Sequence, residues 1–135
     1  MHVRHGGVVL AAMVAAVVLS GCSSGSGYAD LSPEATSRDA WPSDLPEYSM
    51  DSVDEKTSRL VGKYEGSELY LARSIDPKDE VCLLAYTDGS DWVVGCGPSG
   101  LRVSASSHGT FAVLGDGATN DDLEAISTNV YAIKR

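Results

Sequence analysis

Glu80-Val-Cys-Leu-Leu-Ala-Tyr-Thr-Asp-Gly-Ser-Asp-Trp-Val-Val-Gly-Cys-Gly97 is the stretch that decides the fold. Two apolar runs flank Asp88-Gly89-Ser90, which is the pattern of a β-hairpin. Placing Cys82 opposite Cys96 fixes the register, because opposed residue numbers must then sum to 178. Tyr86 faces Trp92 and Leu84 faces Val94, and the turn centres on Gly89. An odd loop is required, most simply Asp88-Gly89-Ser90, and three-residue hairpin loops are common. Directly opposed residues of the non-hydrogen-bonded kind lie about 4.5 Å apart at Cα, within reach of a disulfide. Alternation puts Cys82, Leu84, Tyr86, Trp92, Val94 and Cys96 on one face, and Val81, Leu83, Ala85 and Val93 on the other. Both faces are apolar, so the hairpin is expected to be central and covered on both sides. The competing reading is a pair of buried free thiols, and the compartment decides between the two.

That compartment is written at the start of the chain. Met-His-Val-Arg-His carries the positive Arg4, and Val8 to Leu19 is an unbroken apolar run of 12 residues. A helix needs about 20 residues to span a bilayer, so the run fits the core of a secretory signal, helical in form. It ends in Leu19-Ser20-Gly21-Cys22. This tetrad resembles the lipobox of bacterial lipoproteins: a branched apolar residue, two small residues, then cysteine. The resemblance implies a diacylglycerol on the Cys22 thiol and cleavage just before it, leaving Cys22 as the lipidated N-terminus on the extracytoplasmic face of the cell membrane. The alternative is an ordinary signal peptide with a chance cysteine. The chain has three cysteines, an odd number that leaves one over in a secreted protein. Lipidating Cys22 uses it, and Cys82 and Cys96 are left to pair in an oxidising compartment.

Residues 1–21 are thus a signal peptide, 22–55 read as the lipidated cysteine with a flexible acidic tether, and 56–135 as a small disulfide-bonded β-domain. Ser23-Ser-Gly-Ser-Gly27 has flexible-linker composition. Pro33, Pro42 and Pro46 follow among many acids and few periodic apolar positions, a composition that buries too little surface to offset ordering. Trp41-Pro42 is the one large apolar feature, able to dock on the domain or a partner but more commonly solvated.

Short β-like runs then alternate with turns. Ser58 to Tyr64 and Glu68 to Arg73 flank Glu65-Gly66-Ser67, and Asp76-Pro77-Lys78-Asp79 leads into the disulfide hairpin. Pro98-Ser99-Gly100 and Ser106-Ser-His-Gly109 bracket Leu101 to Ala105, and Thr110 to Leu114 comes next. Asn120 can cap a helix start with Asp121, Asp122 and Glu124 at its positive end, so one short helix is expected before a last strand, Asn129 to Lys134. The expected fold is all-β: a small antiparallel meander of about seven strands, a sandwich or an open barrel. A core this small usually needs a staple, and a disulfide closing about 15 residues supplies on the order of 3 kcal/mol.

Chemistry is sparse. After signal removal His108 is the one histidine, in a turn beside serines. A hydrolase would need a serine and an orienting acid around it, and no nucleophile-elbow pattern occurs, so a solvated turn residue is expected. Asp116, Asp121, Asp122 and Glu124 cluster without the spacing of a calcium loop. No zinc spacing, phosphate loop or dinucleotide fingerprint points to a metal or a cofactor. Removing residues 1–21 takes away Arg4 alone, leaving 9 basic against 19 acidic residues and a net charge of −10. That balance disfavours nucleic acid and anionic headgroups and leaves an envelope protein or a cationic ligand as partner. The whole chain also resembles small lipoproteins of high-GC Gram-positive bacteria, in which a lipobox, an acidic linker and a β-domain with a Cys…Trp…Cys hairpin occur together. The leading expectation is a non-catalytic β-module binding a protein or envelope component. The alternatives are a small secreted hydrolase using His108 and a nearby serine, and a small-molecule binder, for which 80 residues leave little room.

Overall fold

The computed structural model describes residues 27–106 and 108–134, so Cys22 and the signal segment lie outside it. The hairpin is present as β3 (Val81–Asp88) and β4 (Asp91–Gly97). Cys82 pairs with Cys96, Leu84 with Val94 and Tyr86 with Trp92, and the sulfurs are bonded at 2.09 Å. The loop differs from the expected three residues. Asp88 pairs with Asp91, so the turn holds two residues, Gly89 and Ser90, and Thr87 is the extra residue of a bulge. The cause is the Asp88 carboxylate, whose Oδ1 accepts from Ser90 N–H, Ser90 Oγ–H and Asp91 N–H at 2.8–2.9 Å. These bonds hold that carboxyl below the usual range and close the turn tighter than spacing alone implies.

Upstream, β1 (Val53–Tyr64) and β2 (Ser67–Ser74) form a second hairpin. Its turn residues Glu65 and Gly66 have φ of 47° and 87°, the two left-handed conformations of a tight hairpin turn. The four strands make one antiparallel sheet in the order β1-β2-β3-β4. The second sheet holds β5 (Leu101–Ala105), β6 (Gly109–Val113), β7 (Leu123–Ala125) and β8 (Val130–Ile133) in the order β5-β6-β8-β7.

Alternation supplies each sheet with a face for the core between them. Leu69, Leu71, Leu83 and Ala85 meet Val103, Phe111, Val113 and Val130 there. The corner where β4 gives way to β5 is tight: a Cβ on Gly95 would lie 2.8 Å from Val103 Cγ2. On the opposite side β1 bends towards the end of β7, and a Cβ on Gly62 would meet Ile126 Cγ2 at 2.6 Å. The two sheets therefore close on each other along both edges, but they form no closed barrel.

Two expectations are corrected. Residues 120–125 form no helix: Asn120 Oδ1 accepts from Asp122 N–H at 2.9 Å, capping a turn that feeds the short strand β7, which pairs with β8. The segment is too brief to stabilise a helix, whereas β8 offers a ready row of partners. With β7 the described residues hold eight strands, in keeping with the expected all-β fold of about seven.

The other correction concerns the tether. From Tyr28 onward the chain is ordered on the sheets through three 3-10 turns, Ala29–Leu31, Ser37–Asp39 and Glu47–Met50. Tyr28 and Leu31 join the core between the sheets, while Trp41, Leu45 and Val53 cover Tyr70, Ala72, Cys82 and Leu84 on the outer face of the first sheet. This wrap is the second cover that the two-faced hairpin requires.

Candidate functional site

The wrap and the edge strand β1 enclose the feature of greatest chemical interest. β1 leaves its ladder in mid-course: Asp54 pairs with Arg73 and Arg59 with Leu71, so Glu55, Lys56, Thr57 and Ser58 stand against Ala72 alone. Thr57 Oγ1 fills the gap, donating to Asp54 O and accepting from Arg73 N–H, both at 2.7 Å. The Arg59 guanidinium gathers the bulge and the wrap together, donating to Ser58 O and Pro33 O at 2.8 Å. Bulges on edge strands commonly re-aim side chains beside binding sites.

Facing this bulge, the wrap is pinned by polar anchors. Asp39 Oδ1 accepts from Leu60 N–H at 2.9 Å, and its Oδ2 accepts from Thr36 N–H at 2.7 Å. Burial works against the Asp39 charge, but these bonds outweigh it and hold the carboxyl below the usual range. Trp41 is 8% exposed, its ring is 6.2 Å from that of Tyr70, and its indole N–H donates to the buried Ser49 Oγ at 3.2 Å. Tyr86 O–H donates to Asp44, a bond that pushes the phenol pKa up. Tyr48 is 67% exposed and rests on Trp92, ring centres 5.8 Å apart.

Between wrap and bulge runs an open groove of about 520 Å³. Its apolar floor is Trp41, Pro42, Leu45 and Met50, and its rim carries the exposed Glu47, Glu55 and Lys56. Ala40, Glu55 and Lys56 also border a smaller hollow of about 220 Å³, lined further by Asp39 and Ser58. Ligand sites usually occupy about 300–1,000 Å³, so the larger groove is of ligand size. The wrap, not the sandwich, builds most of its walls. Ser58 is 2% exposed, and among the described residues its hydroxyl is the buried side-chain oxygen without a hydrogen-bond partner.

His108 is not a solvated turn residue. Its side chain is 18% exposed, with Nδ1 3.0 Å from Glu65 O and Nε2 3.0 Å from Asp91 Oδ2. It joins the ends of three hairpins, and both ring nitrogens are engaged by groups other than serine. The Asp91 bond and then the Glu65 carbonyl raise its pKa above the ordinary value, against the effect of burial.

The acidic cluster is dispersed. Asp116 Oδ1 accepts from Ala29 N–H and from Asn129 Nδ2, locking the first turn of the wrap, while Glu124 reaches Tyr64 O–H at 3.4 Å. Asp121 and Asp122 are exposed in the turn before β7. Among the described residues no group of three or more histidine, cysteine or acidic side chains is placed to hold a metal ion, and no helix is long and apolar enough to cross a membrane.

Trp41 was legible as a docking candidate, while Met50, Glu47, Glu55 and Ser58 carried no signal of their own. The one sequence clue to them is the second apolar face of the hairpin, which needs a cover from elsewhere in the chain. No family model, curated protein or solved structure matches the chain, so what the molecule can do must be read from its own residues.

Proposed function

We propose that the protein is a non-catalytic binding module, lipid-anchored through Cys22 on the extracytoplasmic face of the cell membrane, with the groove between wrap and β1 as its working surface. The groove carries this reading: it is apolar in its floor, charged at its rim and of ligand size. The lipid anchor is supported by Leu19-Ser20-Gly21-Cys22 after the apolar run and by the bond that takes up the other two cysteines. Only Ser23–Gly27 then separates the lipid from Tyr28, the first buried residue of the wrap. Five residues reach at most about 18 Å fully extended, so the domain sits close to the bilayer rather than standing off on a long tether.

The test has two arms. The mature protein should carry the mass of a diacylglyceryl group, and Cys22→Ala should release it from the membrane fraction. An unmodified mass for the wild-type chain ends the anchored reading. A photoreactive residue at position 48 should give a defined in-cell adduct, competed by the unlabelled wild-type domain, while one at position 122 should not. Equal labelling from both positions ends the reading of the groove side as the working surface.

A further inference from the structure

Building on the binding-module reading, we infer that the groove takes an extended segment of a partner protein in which lysine or arginine alternates with apolar residues. Three independent features converge on that chemistry. The first is shape. The larger groove and the smaller hollow share Ala40, Glu55 and Lys56, so they adjoin as two lobes of one open channel rather than a closed cavity. An extended chain fits such a channel, placing apolar side chains over Trp41, Pro42 and Met50.

The second feature is charge. Residues 39–56 hold Asp39, Asp44, Glu47, Asp51, Asp54 and Glu55 against the single base Lys56. Glu47 and Glu55 are exposed at the rim, and neither is in an ion pair among the described residues. Asp39 and Asp44 are already committed to holding the wrap, so Glu47 and Glu55 are the carboxylates available to a cation arriving from outside. Carboxylates beside an apolar floor favour a side chain with an apolar stem and a charged head, which is what lysine and arginine present.

The third feature is the orphan hydroxyl. Ser58 borders the smaller lobe, and a buried hydroxyl without a partner costs free energy that a ligand group can recover. The other two side chains that pack into the bulge are matched: Thr57 to Asp54 O and Arg73 N–H, Arg59 to Ser58 O and Pro33 O. Ser58 lines the lobe with its hydroxyl unmatched, and a backbone or side-chain group of the segment completes it.

The experiment uses the full-length protein in detergent and a short fluorescein-labelled peptide alternating lysine with valine, read by anisotropy. Saturable binding is expected, together with binding at least about tenfold weaker for the lysine–serine and glutamate–valine counterparts. Glu47→Gln combined with Glu55→Gln should weaken binding about tenfold, whereas Asp121→Asn combined with Asp122→Asn, which removes the same charge elsewhere, should change it less than about twofold. Ser58→Ala should weaken binding about threefold while leaving the thermal midpoint unchanged or raised, because it deletes an unsatisfied buried group. A purely structural serine would lower the midpoint instead. Equal losses from the two charge-removing pairs would mean diffuse attraction only, and would overturn the proposal. So would equal affinity for the lysine–serine peptide, or a dimer in sedimentation that buries the groove. If the peptide fails while the position-48 adduct persists, the partner has other chemistry and the binding module stands. If both fail, that reading falls too.

Discussion

Residues 53–134 and residues 27–52 are held in place by different physics. The sandwich is two hydrogen-bonded ladders, broken only at bulges in β1 and β3, in which alternation repeats from strand to strand, so no one side chain defines it. The wrap has no ladder and no period. It is fastened at separate points: Asp30 and Asn129 at its start, Asp39 on Leu60, Trp41 on Tyr70, Asp44 on Tyr86. A ladder tolerates the loss of one contact because its neighbours remain, but a segment fastened at points loses a whole stretch with one anchor. Local opening should therefore begin in the wrap, and the groove with it.

The sharpest way to break this comparison is Trp41→Ala. Truncating a buried tryptophan costs about 3–5 kcal/mol, and Ser49 loses its indole donor as well. The expected outcome is a lower denaturant midpoint together with fast amide exchange over 36–50 and retained protection in β6 and β8. Uniform loss of protection would show that wrap and sandwich open as one unit.

Reduction of Cys82–Cys96 probes the other region. The bridge ties β3 to β4 across a register that the strands already define, and the chain-entropy model assigns it about 3 kcal/mol. Cys82 is fully buried but Cys96 is exposed, so a reductant reaches the bond without prior unfolding. The oxidised and reduced midpoints should differ by that amount, with thiol labelling confirming each state. Equal midpoints would show that the ladder alone holds the hairpin.

Asn129→Ala cuts the seam between the regions. Asn129 is wholly buried in the chain leading to β8, and its amide donates to Leu114 O and Asp116 Oδ1 while its oxygen accepts from Asp30 N–H. Removal strands buried partners at a cost of about 2 kcal/mol. Exchange should quicken at Ala29–Leu31 more than in β2 or β3. A loss confined to the second sheet would mean that the wrap does not depend on this seam.

What was legible in the sequence follows the same divide. The pairing of Leu84 with Val94 and Tyr86 with Trp92 came from counting, because parity in a strand leaves no freedom. The turn at Gly89 escaped counting because one side chain, Asp88, took three donors and tightened it. Asn120 was ambiguous in kind: an asparagine that caps a helix also caps a turn, and only the free edge of β8 decides which. The wrap read as a linker because proline, serine and acids dominate it and its anchors, Asp30, Asp39, Trp41 and Asp44, follow no period. The groove was illegible for a further reason. Glu55 and Ser58 reach it through a bulge, which inverts the alternation that sequence reading relies on.

The smallest expected effect is the one with a sign fixed by geometry, at the end where the hairpins of both sheets meet. His108 Nδ1 faces a backbone carbonyl, which can only accept, so that nitrogen carries a hydrogen. Nε2 faces the Asp91 carboxylate, which accepts as well once ionised, so the contact is complete in the imidazolium form. The carboxylate bond first, and the Glu65 carbonyl second, raise the folded pKa above the ordinary value of about 6.5. A raised histidine pKa stabilises the folded state fully below the unfolded value, and that contribution is lost as pH rises through the folded value. The difference in thermal midpoint between the wild-type protein and His108→Ala should be largest near pH 5.5 and shrink towards about pH 8.5. Cys82 and Cys96 do not titrate while bonded, which keeps the upper end of the scan free of thiol ionisation. An Asp91→Asn variant, which keeps an acceptor oxygen but removes the charge, should flatten the same profile. A difference that is constant across the window would make His108 a packing residue only, and one that grows with pH would mean that the neutral ring is the form the three hairpin ends hold.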